Sequence, residues 1–78
     1  MRRKVRMIKL KDEVKIEQLA NFGFVKMNYD YKISVGALDI FCNIETREIN
    51  GIGFWPVGDR IVLRELEDLK IKHLFNVT

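Results

Sequence analysis

Apolar and polar residues alternate most regularly in the middle of the chain. Tyr29, Tyr31, Ile33 and Val35 fall on one side, and Asn28, Asp30, Lys32 and Ser34 on the other. A period of two predicts a half-buried strand over 28–35. Gly36 supplies a turn into a second strand, 38–45, on which Leu38, Ile40, Cys42 and Ile44 share a face. Thr46-Arg47 then reverses the chain into a third strand, 48–55. Pro56 ends that strand because it has no amide hydrogen to donate.

Both flanks change period. Residues 4–10 predict a short first strand with Ile8 and Leu10 on one face. Ile16, Leu19, Ala20 and Phe22 recur at helical spacing, followed by Gly23 as a left-handed cap and Phe24 packing back onto the last turn. Asp12 and Glu13 are placed near the positive end of this helix. Asp59, after Gly58, reads as the N-cap of a second helix. Val62, Leu66, Leu69 and His73, with Leu63 beside them, form its apolar stripe. Arg64 with Asp68, and Asp68 with Lys72, are i, i+4 pairs on its wet face. A last short strand covers 74–77. The order (β)αβββαβ predicts an α+β fold, a small antiparallel sheet of three to five strands with two helices packed on one face.

A turn centred on Thr46-Arg47 sets Ile44 opposite Ile49, Cys42 opposite Gly51, Ile40 opposite Gly53 and Leu38 opposite Trp55. Gly51 and Gly53 then face the helices, where a missing side chain lets a helix approach. The other face carries Phe41, Ile52 and Phe54 among Asp39, Asn43 and Asn50, an apolar patch in a polar rim of the kind that marks an interface. A three-residue loop would slip the register by one and exchange the faces.

Composition narrows the class. Seventy-eight residues make one domain with little core to spare for a deep cleft. Cys42 is the single cysteine, so no internal disulfide supports the fold and a reducing, cytoplasmic compartment is expected. The longest uncharged stretch, 49–58, is half the roughly 20 residues a membrane helix needs. The net charge of +3 is unevenly spread. Arg2, Arg3, Lys4, Arg6, Lys9 and Lys11 face no acid within residues 1–11, which leaves eight cations against eleven acids in the remainder. Residues 1–6 therefore read as a flexible basic arm and 7–78 as a single α+β domain. Translation from Met7 would remove Arg2, Arg3, Lys4 and Arg6.

Catalytic and cofactor chemistry find little support. One His and one Cys do not fill a zinc site without carboxylates. Cys42 lies mid-strand on the apolar face, with His73 the only imidazole to activate it, and reads as a structural thiol. Gly51-Ile52-Gly53 lacks the third glycine of a dinucleotide loop, since Pro56 stands there. Tyr29, Tyr31, Phe41, Phe54 and Trp55 fall on strands, but with few lysines or arginines among them, as a stacking platform for single-stranded nucleic acid requires. No enzyme activity, metal or cofactor is expected.

Two segments carry a likeness. Met7-Ile8-Lys9-Leu10-Lys11-Asp12 leading through Leu19-Ala20-Asn21-Phe22-Gly23-Phe24, and Asn43-Ile44-Glu45-Thr46-Arg47-Glu48-Ile49, resemble small uncharacterised phage and prophage proteins of low-GC Gram-positive bacteria. That resemblance implies an accessory protein that inhibits or redirects a host protein, and it assigns no functional residue. The expected function is protein binding through Phe41, Ile52, Phe54 and Trp55, with a host protein or a second copy as partner. The alternative is nucleic-acid binding through Arg2, Arg3, Lys4, Arg6, Lys9 and Lys11, whose affinity would fall with salt.

Overall fold

The structure, a computed structural model, describes residues 7–55 and 57–77. It is α+β, with strands β1 (Ile8–Leu10), β2 (Val25–Lys26), β3 (Asp30–Val35), β4 (Leu38–Asn43), β5 (Ile49–Ile52) and β6 (Phe75–Val77), and one α-helix, α1 (Asp59–Asp68). Residues 4–6 of the expected first strand, and the basic arm 1–6, lie outside the described residues. Two antiparallel sheets form, β2-β3-β4-β5 and β1-β6. An isolated antiparallel bridge, Lys9 to Glu48, joins them.

The expected first helix is a 3-10 helix, Ile16–Phe22, rather than an α-helix. It begins later than the acids suggested, so Asp12 and Glu13 lie in the preceding turn and Glu17 is the acid of its first turn. Ile16 and Leu19, one 3-10 turn apart, are buried, whereas Ala20 and Phe22 remain exposed. Gly23 closes the helix at φ 102°, and the Phe24 amide donates to the Leu19 carbonyl at 3.2 Å, which turns Phe24 into the core. The chain then adds a strand the alternation did not predict, β2, paired with β3 through Val25–Lys32 and Lys26–Tyr31. Strand β3 starts at Asp30, so Tyr29 precedes it and is exposed.

Helix α1 differs from its sequence reading at both ends. Gly58 is the N-cap and Asp59 the first helical residue, without a side-chain capping bond. The helix stops at Asp68, and Lys70 adopts φ 64°, the left-handed conformation that turns the chain away. His73 is therefore exposed in a separate 3-10 turn, Lys72–Leu74, instead of extending the apolar stripe. Lys72 no longer lies one helical turn beyond Asp68 and pairs with Glu67 at 3.5 Å. Arg64 and Asp68 form no ion pair with each other.

The core draws on every strand except β2. Leu19, Ile40, Leu66, Ile71 and Cys42 are fully enclosed, with Ile8, Leu10, Ile49 and Phe75 around them. Alternation is kept wherever a strand borders this core: Tyr31 on β3, Ile40 and Cys42 on β4, and Ile49 and Gly51 on β5 all point inward.

Candidate functional site

The β4–β5 hairpin determines which side chains the sheet shows to solvent. Its register is Cys42 to Ile49, Phe41 to Asn50, Ile40 to Gly51 and Asp39 to Ile52. This differs by two residues from the sequence register, so Ile40 opposes Gly51 rather than Gly53, and neither Gly53 nor Trp55 is paired. Asn43 causes the shift. Its Oδ1 accepts the amides of Glu45 at 2.9 Å and Thr46 at 2.8 Å, while its carbonyl accepts the Arg47 amide at 2.9 Å. This asparagine-led turn occupies residues 44–47, and Arg47 takes φ 67° to close it. A slip of two leaves each side chain on its expected face, because the strand period is two.

Gly51 is on the inner face as expected. A Cβ there would lie 2.8 Å from the Cγ2 atoms of both Val57 and Val62, so the missing side chain is what admits α1. Gly53 lies beyond β5 and has no such role, since a Cβ added there would come no closer than 3.8 Å to any neighbour.

On the outer face the paired residues form rows. Val25, Lys32, Phe41 and Asn50 cross all four strands, and Ser34, Asp39 and Ile52 form the next row. Phe41 is half-buried and not bare: the Lys32 ammonium stands 5.8 Å from its ring centroid. Lys32 also reaches Asp39 at 3.9 Å, and the Ser34 hydroxyl donates to Asp39 at 2.6 Å. The middle of the face is thus a small charged network laid over an aromatic ring. Its apolar exposure is at the margins, Val25 on one side and Ile52, 44% exposed, on the other. Sequence reading missed Val25, because a two-residue strand is too short to show alternation.

Phe54 and Trp55 leave the sheet altogether. Strand β5 ends at Ile52, and the Gly53 amide donates to the Trp55 carbonyl at 3.0 Å, folding the segment into a tight loop. Phe54 is 91% and Trp55 75% exposed, with ring centroids 6.3 Å apart and planes tilted by 53°. Both rings are exposed and neither belongs to the core. The four expected contact residues therefore separate into a sheet-face pair, Phe41 and Ile52, and a protruding pair, Phe54 and Trp55, connected through Ile52.

The residues of the nucleic-acid alternative are only partly visible. Arg2, Arg3, Lys4 and Arg6 lie outside the described residues. Lys9 is exposed on β1, and Lys11 is half-buried. Of the two tyrosines, Tyr31 is buried at the core and unable to stack on a base, while Tyr29 lies at the edge of an open cleft of about 550 Å³ with Asn28, Asn43, Ile44 and Glu45.

Cys42 is fully buried and its thiol faces the Arg47 carbonyl at 3.6 Å. Burial pushes its pKa from 9.0 up to about 12, partly offset by the positive charge of Arg47. Among the described residues no three His, Cys, Asp or Glu side chains gather as a metal site, and no helix is long and apolar enough to cross a membrane. Comparison with protein families, curated proteins and solved structures gives no match for this chain.

Proposed function

We propose that this chain is a non-enzymatic protein-binding module that holds its partner through the Phe54–Trp55 loop and the adjoining outer face of the four-stranded sheet. The observation that carries the proposal is the pair of neighbouring aromatic rings, 91% and 75% exposed, on a short hydrogen-bonded loop continuous with Ile52. Burying a large apolar side chain contributes about 2–3 kcal/mol, and a folded chain leaving two such rings in water forgoes that until a partner covers them. Tryptophan is also enriched where binding energy concentrates. In this reading the 3-10 helix Ile16–Phe22 and α1 pack on the inner face, so that the outer face stays open.

The resemblance to phage and prophage proteins suggests a cytoplasmic host protein as the target and inhibition as the effect. Lys32, Asp39 and Ser34 would then act as the polar surround that fixes orientation, with Phe54 and Trp55 as anchors. The proposal is tested by affinity capture of the tagged chain in nuclease-treated lysate of its source cell, beside a Phe54→Asp, Trp55→Asp variant. A protein held by the parent and released by the variant is the expected result, and the exposure of both rings means that the variant retains its circular dichroism. Equal capture by the two would refute the loop as the contact. Capture that disappears with nuclease treatment, or with removal of residues 1–6, would replace this proposal with nucleic-acid binding through the basic residues.

A further inference from the structure

The exposed side of α1 carries its charges in the order its own dipole disfavours. Arg60 lies in the first turn and Arg64 one turn on, at mid-helix, while Glu67 and Asp68 end the helix and no base lies in its last turn. A helix dipole favours acids at its start and bases at its end, and here only Asp59 obeys. Among the described residues neither arginine has an ion-pair partner, nor does Asp68, whereas Glu67 is engaged by Lys72 at 3.5 Å. Ile61 is 42% exposed beside the arginines, and with them it lines a shallow groove of about 320 Å³.

A surface basic at one end and acidic at the other complements itself when turned end over end. Two copies related by a two-fold axis would set the arginine end of each helix against the acidic end of the other, an isologous contact. The two dipoles would then run antiparallel, and each Glu67–Asp68 end would approach the positive N-terminus of its neighbour. The order that disfavours the helix alone becomes favourable in the pair. A uniformly anionic surface, whether nucleic acid or lipid, would attract the arginines but repel Glu67 and Asp68, so charge pattern selects a second copy.

We infer that the exposed face of α1 is a self-association surface on which two copies of this chain pair through antiparallel helices. This is independent of the Phe54–Trp55 loop. Sedimentation equilibrium of the full chain tests it in low salt, beside two variants whose substitutions are all exposed: Arg60→Glu with Arg64→Glu, and Glu67→Arg with Asp68→Arg. The parent should sediment at twice the chain mass and dissociate as salt is added. Each variant should be monomeric, because its helix face then carries one sign. Mixed in equal amounts, the two variants should form a heterodimer, which also shows that both are folded and competent. A parent monomeric at every concentration would overturn the inference. So would a dimer that survives both charge reversals, or two folded variants that fail to associate, and none of these results would touch the loop's capture of a partner.

Discussion

At Cys42 the alternation of β4 directs a thiol between Ile40 and Ile49, where it is wholly enclosed. Such a group stays protonated in the folded chain well past the pH at which it ionises when unfolded. Its pKa rises on folding from 9.0 to about 12, so the folded state holds the proton more tightly. The stability this confers is fully present below pH 9 and is lost as pH rises from 9 toward 12, at up to about 1.4 kcal/mol per unit. Urea titrations of the parent and a Cys42→Ala variant at several pH values should show a steeper alkaline decline in the parent. Parallel declines would mean that other groups govern the alkaline limit. The position of Cys42 was legible in the sequence, since period-two alternation is a local property. Its neighbour in space, the Arg47 carbonyl, was not, because it depends on how the following turn closes.

The elements show where local pattern suffices and where it does not. Strands β3 and β4 followed directly from alternation, and Gly23 with Phe24 correctly marked a helix end. The β4–β5 register did not follow, because Asn43 was read as an outward strand residue when its side chain in fact nucleates the turn. Helix α1 was legible through Val62 and Leu66, but its end at Asp68 is followed by a left-handed residue, Lys70, that is not glycine, for which the sequence carries no signal. For the candidate site the consequence is specific: a strand drawn out to Trp55 placed Phe54 on the sheet, whereas the tight loop lifts it off. The close approach of α1 to β5 was foreseen at Gly51 and gives the sharpest test of an element contact. Gly51→Ala should lower stability by about 1–3 kcal/mol, since both valine methyl groups stand within 2.8 Å of the new atom. Gly58→Ala is the control, with nothing within 4 Å of its added atom and φ −75°, and should cost less than about 1 kcal/mol. Equal shifts in the urea midpoint would show that β5 and α1 adjust without strain.

Among the described residues, Arg47 makes hydrogen bonds that reinforce the bridge between the two sheets. The Lys9–Glu48 bridge is a single pairing, and beside it the Leu10 amide donates to the Arg47 carbonyl at 2.9 Å. The Arg47 side chain runs the other way: its Nη2 donates to the carbonyls of Lys11, at 2.6 Å, and Val14. Arg47 therefore ties the hairpin of the larger sheet to β1 and to the turn that leads into the 3-10 helix, across more than thirty residues of sequence. Contacts of that span leave no periodic trace, so the sequence identifies Arg47 only as part of the turn with Thr46. Two terms separate on substitution. Arg47→Ala loses the guanidinium and keeps the Cβ strain that the parent already carries at φ 67°, whereas Arg47→Gly loses the guanidinium and relieves that strain. Both should lower stability, the alanine variant by about 1–3 kcal/mol and the glycine variant by about 1 kcal/mol less. Hydrogen exchange then distinguishes a clasp from general packing. In Arg47→Gly the amides of Leu10, Lys11 and Val14 should exchange faster while those within the β3–β4 pair keep their protection. Uniform acceleration across both sheets would instead mean that Arg47 supports the core as a whole, and that the smaller sheet has no stability of its own to lose.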